Sequence, residues 1–140
     1  LDYAADAAYT LVAYDSGEAI SGLRIDDDFS AVGAGNIRLR ATHIANGVGE
    51  VDIWNITDAS NPAPLVENLG FASSSAILEV PAAAYELGID VDNDATPDLT
   101  FSVPALEAGA IANVFAVKNA AGAVVLAAQI GSAVVEIPAN

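Results

Sequence analysis

Apolar residues in this chain recur at every second position over short runs, and each run stops at Gly, Pro, Asn or Asp. That period of two belongs to strands with one buried face, and it gives helices little support. In NIRLRATHI, Ile37, Leu39 and Ala41 alternate with Arg38, Arg40 and Thr42, so one face should enter a core while both arginines face outward. In VDIWNIT, Val51, Ile53 and Asn55 alternate with Asp52, Trp54 and Ile56, which predicts a strand with both faces partly covered. Tyr85, Leu87, Ile89 and Val91 alternate with Glu86, Gly88, Asp90 and Asp92; Leu99, Phe101 and Val103 alternate with Thr100 and Ser102. Those two runs predict a hairpin. Further strands are expected over residues 76–80, 111–117 and 124–130, with breaks at Asn61-Pro62, Pro81, Pro104 and residues 119–122. Short strands at this spacing, without a helical period between them, point to an antiparallel sandwich rather than a βαβ fold. The expected fold class is all-β, an antiparallel immunoglobulin-like β-sandwich.

A chain of 140 residues suits one core, burying roughly 68–70% of the surface the unfolded chain would expose. Ala, Val, Ile and Leu supply most of the 54% apolar fraction, and aromatics only 6%, so the core should consist of small, closely packed layers. Nineteen Asp and Glu face only Arg24, Arg38, Arg40 and Lys118, a net charge of -15. That balance argues against nucleic acid and anionic membrane surfaces as partners. Cations, basic partners or a salty medium remain, and adaptation to high salt is a rival reading of the acidity. The lack of Cys removes disulfides and thiol chemistry together. The most apolar run, AAGAVVLAAQIGSAVV over residues 120–135, is shorter than a bilayer span and contains Gln129 and two glycines. It is expected to be buried strand, with no membrane insertion. With no Met and no charged, apolar leader at Leu1, the chain is expected to begin after a processing boundary.

The chain also repeats itself faintly. AYTLVAYDSGEAI, residues 8–20, can be laid over ANVFAVKNAAGAVV, residues 112–125, with one residue inserted in the second copy. Both have a β-rich run, a polar turn with a glycine at Gly17 or Gly122, and a second apolar run.

The segment order IRLRATHIANGVGEVDIWNIT, then NLGFASSSAILEVPAAAYELGIDV, then LTFSVPALEAGAIANVFAV resembles the DUF4397 family of exported bacterial and archaeal β-sandwich domains. Arg40 to His43 stand at that family's first motif, Val51 to Trp54 at its second, Val80-Pro81 with Tyr85 at its third, and Gly109 to Phe115 at its last. The resemblance covers about residues 36–130 and implies an exported, extracellular or cell-surface sandwich domain over residues 31–140. The last motif departs from the family: Asn113-Val114 replace the usual Tyr-Thr pair, which stands instead at Tyr9-Thr10. Residues 1–30 are therefore expected to form an N-terminal β-hairpin and acidic linker with three possible roles. The hairpin resembles the closing hairpin of a preceding repeat; it could be donated to a neighbouring copy; or it could extend its own sandwich.

DVDNDATPD, residues 90–98, carries the sharpest chemical signal. Asp90, Asp92, Asp94 and Asp98 occupy positions one, three, five and nine, a spacing that can curl hard oxygen ligands around calcium, and the carbonyl of Thr96 at position seven could add another. Unit charges about 5 Å apart repel by on the order of 1 kcal/mol in water, so such a cluster gains from a cation. Ala95 replaces the glycine expected at position six and Phe101 the glutamate at position twelve, which excludes an EF-hand. The competing reading is a solvated turn, since Asp and Asn favour turns. Asp26, Asp27 and Asp28 are contiguous and are expected to be a solvated linker.

Catalytic patterns are absent. The single histidine, His43, suits a packed, hydrogen-bonded role. Ser73-Ser74-Ser75 has no nucleophile-elbow setting, and Asn55-Ile56-Thr57 is a formal glycosylation acceptor on a predicted strand. The expectation is a non-enzymatic structural or adhesive module, a repeat or filament subunit contacting other copies of itself through Tyr9, Leu11 and Val12. The alternative is a calcium-dependent module for a surface glycan, with Trp54 as a stacking surface.

Overall fold

A computed structural model describes residues 2–140, and in it the alternating runs become strands, with no helix among the described residues. In chain order they are β1 (Ala8–Asp15), β2 (Ile20–Asp27), β3 (Asn36–His43), β4 (Val51–Asn55), β5 (Ala63–Leu69), β6 (Ser73–Ser74), β7 (Leu78–Pro81), β8 (Tyr85–Asp90), β9 (Leu99–Val103), β10 (Ile111–Lys118), β11 (Val124–Ile130) and β12 (Ala133–Ile137). A front sheet runs β5-β4-β8-β9, antiparallel throughout. The back sheet runs β12-β11-β10-β3, with β6 and β7 both paired to β3. Every pairing is antiparallel except β3 with β10, which lie parallel and set Leu39 opposite Ala112 and His43 opposite Ala116.

Alternation decides which side chains meet between the sheets. Val51, Leu69, Ile89 and Phe101 come from the front sheet, and Ala116, Leu126, Ala128 and Ile137 from the back. Phe101 is fully buried, and burying a side chain of that kind contributes roughly 1.5–3 kcal/mol. The result is an all-β, mainly antiparallel sandwich, as the alternation predicts.

The hairpin β1–β2 adds a third layer on the outer face of the back sheet. Its register places Thr10 opposite Ile25 and Val12 opposite Leu23, so these side chains share one face, and all are buried or half-buried. Leu11, Ala13 and Asp15 lie on the other face and are exposed. Beneath the inner face lie Phe115 and Val125, which alternation turns away from the sandwich core and which are nevertheless buried. Polar contacts fix the layer: Asn113 Nδ2 donates to Asp27 Oδ1 at 3.1 Å, and Arg40 Nη1 donates to the carbonyl of Asp26. The ring of Tyr14 meets that of Phe71 edge-on, with centroids 5.6 Å apart.

Several local expectations change. Arg38 does point away from the core, but it is only 7% exposed, because the chain after β2 folds over it. Asp26 and Asp27 belong to β2, and Asp27 accepts hydrogen bonds from Thr10 and Asn113, so this acidic run is not a solvated linker. The apolar run of residues 120–135 divides at Gly131, whose φ is 59°, and the second piece is the edge strand β12 with Val134 68% exposed. Strand β5 has no counterpart in the alternation, because register shifts against β4 break the period of two.

Candidate metal centre

Strand β8 carries Asp90 to one end of the sandwich, opposite Asp52 of β4, and there Asp90 is fully buried. Its carboxylate organises the loop that follows. Oδ1 accepts the amides of Asp92 at 3.2 Å and Asn93 at 2.8 Å, and Oδ2 accepts the amide of Ala95 at 2.8 Å. The chain can curl this tightly because Asn93 and Ala95 take φ values of 58° and 65°. Ala95 thus adopts the left-handed conformation that a glycine usually supplies at the sixth position, at a steric cost glycine would not bear. The loop closes where Asp98 Oδ2 accepts the amide of Val91 at 2.8 Å and the amide of Asp98 donates to Ile89 at 2.9 Å. Pro97 then lies on the front sheet against Gly88, where a Cβ would stand 2.5 Å from the ring. Only a glycine admits that contact.

This path brings carboxylate oxygens of Asp90, Asp92 and Asp98 within 4.8 Å of one another. Asp94 stands outside that group, and its Oδ1 instead accepts the amide of Thr96 at 2.8 Å. The electrostatics of the group are divided. Burial works against ionisation of Asp90, but the amides of Ala95, Asp92, Asn93 and Asp94 outweigh it and hold the carboxyl below the ordinary aspartate range. Asp92 is pushed up, first by the charge of Asp94, then by partial burial and the charge of Asp98. One member is locked ionised while its neighbour resists ionisation, which is the arrangement a cation would relieve. Asp92 and Asp98 turn their carboxylate oxygens to the same point as Asp90, so the three together present hard oxygen donors to one position. The residues present can hold a hard divalent ion through carboxylate oxygen.

His43 is fully buried and both ring nitrogens are engaged, Nε2 with the carbonyl of Gly49 at 2.8 Å and Nδ1 with the amide of Ala45 at 3.3 Å. Ser73, Ser74 and Ser75 are tied by their hydroxyls to Gly70, Thr42 and Ala76. Trp54 is half-buried, opposite Gly88 and Pro64 on its two neighbouring strands, and its Nε1 is buried without a partner. Asn55 is half-buried and accepts the amide of Thr57. Tyr9 sits under the guanidinium of Arg24, 5.0 Å from the ring centroid, and beside Tyr3. Leu11 is 60% exposed, whereas Val12 faces the chain's own back sheet.

Two features lie outside these expectations. Arg38 gathers the linker after β2 by donating to the carbonyls of Asp28, Ser30 and Ala31 while pairing with Glu79 at 2.8 Å. An open hollow between the hairpin and β10 is lined by Tyr14, Asp15, Asn46, Lys118 and Asn119 among others. Its residues come from three separate segments, so no sequence spacing announces it.

Fold and loop define a class: a two-sheet β-sandwich with a covering hairpin and a carboxylate cluster at one end. No family model matches the chain, and no curated protein matches it.

Proposed function

We propose that this chain is a non-enzymatic structural module of an exported surface protein, a sandwich steadied by a calcium ion in the loop of residues 90–98. The observation that carries the reading is the convergence of Asp90, Asp92 and Asp98 to within 4.8 Å around a buried, amide-anchored carboxylate. Calcium suits the site because it takes oxygen ligands in flexible geometry and tolerates retained waters. The engagement of both His43 nitrogens supports a structural role for that residue. The resemblance to DUF4397 domains supports the surface setting.

Contact between copies is part of the proposal. Leu11 and Ile20, 60% and 76% exposed, put two apolar side chains on the hairpin's outer face beside Asp15 and Arg24, a mixed surface that a neighbouring subunit would cover. Leu11→Glu with Ile20→Glu should shift the protein to a smaller species in size-exclusion chromatography; an unchanged elution volume removes the hairpin from any assembly. The ion is tested by melting the protein in EDTA and in millimolar calcium, with magnesium and matched ionic strength as controls. Calcium at about 100-fold over its dissociation constant stabilises by roughly 2.7 kcal/mol, a rise on the order of 5–10 °C. Equal melting in calcium and in the ionic-strength control removes the ion from the reading and leaves the acidity to salt adaptation.

A second reading, binding of a surface glycan, is favoured by the hollow beside β10, where Tyr14, Asn46 and Asn119 place an aromatic ring and two amides together. A glycan array that gives signal with the native chain and none with Asn46→Ala would support it. An array without signal sets it aside.

A further inference from the structure

The two sheets do not close on one another along their whole length. At the end of the sandwich away from the acidic loop they enclose a chamber of about 140 Å³, bounded by Leu65, Leu87, Val103, Val114, Ala128 and Ile130 among others. A smaller void of about 60 Å³ continues towards the acidic loop and shares Leu39, Leu65, Leu87 and Val114 with it. The sequence explains the space: Ala112 and Ala128 occupy inward positions of β10 and β11, where longer side chains would meet the front sheet. Native interiors are packed with few voids larger than a water molecule, so lining atoms around such a chamber lack partners they would otherwise have.

Water is a poor occupant. Tyr85 is the one lining residue with a polar side-chain atom, and its hydroxyl donates to the carbonyl of Pro81 at 2.6 Å. A buried water needs two to four polar partners, and an engineered cavity of about 150 Å³ with a Leu/Ile/Phe lining stays dry and takes benzene or xenon. Access is also available, because Ala83, Pro104 and Val135, all exposed, stand among the lining residues at that end. No Lys or Arg lines the chamber, and the chain's net charge is -15, so an anionic head group has nothing to receive it.

We propose that this chamber is a binding site for a small uncharged apolar molecule, the size of one aromatic ring or a short alkyl chain. The site is independent of the calcium loop at the other end. The test uses benzene, phenol and hexanoate as probes in thermal melts, with methyl NMR of the native protein. Benzene at ten times its dissociation constant should raise the midpoint by about 5 °C and move the methyl resonances of Leu87, Val114 and Ile130. Phenol, which must bury a hydroxyl without a partner, should bind more than tenfold more weakly, and hexanoate should not bind. Ala128→Leu, which fills the chamber, should abolish the benzene shift; Ala112→Val serves the same purpose if the first variant does not fold. The proposal is overturned if benzene and pressurised xenon leave those methyl resonances of the native protein unmoved. It is equally overturned if the filled variants still bind benzene, or if hexanoate binds as tightly.

Discussion

Replacing Arg38 with alanine should loosen the third layer before it disturbs the sandwich. The guanidinium is 7% exposed and donates to the carbonyls of Asp28 at 2.9 Å, Ser30 at 3.0 Å and Ala31 at 3.2 Å. Alanine would leave these carbonyls without that donor, at a net cost of about 1 kcal/mol each. The paired carboxylates of Asp28 and Glu79 remain 44% and 34% exposed, so water can take over for them and their pairing adds little. The sum is about 3 kcal/mol, which for a domain of this size lowers the melting midpoint by about 10 °C. Arg38→Lys keeps the charge but loses the fork that reaches several carbonyls at once, so it should recover less than half of the loss. Hydrogen exchange read by mass spectrometry should show residues 8–31 losing protection while β8 and β10 keep theirs. A midpoint change under about 2 °C, or full recovery by lysine, would refute the clasp.

Gly88→Ala drives a methyl group into Pro97, 2.5 Å away, and should cost about 1–3 kcal/mol and weaken calcium-dependent stabilisation, as calorimetry with and without EDTA would reveal. Ala95→Gly removes a left-handed alanine at φ 65° and should raise stability by about 0.5–1 kcal/mol in urea titration. The folded-state pKa of Asp90 is depressed, so its stabilisation is present above the unfolded aspartate value of about 3.9 and disappears as pH falls through the folded value. The pKa of Asp92 is raised, so its ionisation costs stability above that value and the cost is relieved as pH falls. Asp92→Asn should therefore raise the midpoint at pH 7 in EDTA and reduce the gain from calcium, a crossing of signs that a simple loss of packing would not produce.

The acidic loop was legible in part because calcium-loop spacing is a local property. Positions one, three and nine do converge, yet Asp94 at position five does not, because left-handed residues on either side of it, Asn93 and Ala95, set its direction. Strand alternation located most of the sandwich for the same local reason. It failed at β5, where the register shifts against β4, and at β12, where an apolar run proved to be two strands joined at Gly131.

The sequence by itself determined the period of two, the turn residues that punctuate it and the concentration of carboxylate in one loop, since each is decided by neighbours along the chain. Only the tertiary structure decided what the outward faces meet. Arg38 and Phe115 read as surface positions in isolated strands, and both are buried: the chain after β2 folds over Arg38, and the hairpin covers the outward face of β10 that carries Phe115. The apolar chamber belongs to that second kind of information. Ala112 and Ala128 look like ordinary small strand residues, and the space they leave exists only once a second sheet stands opposite them.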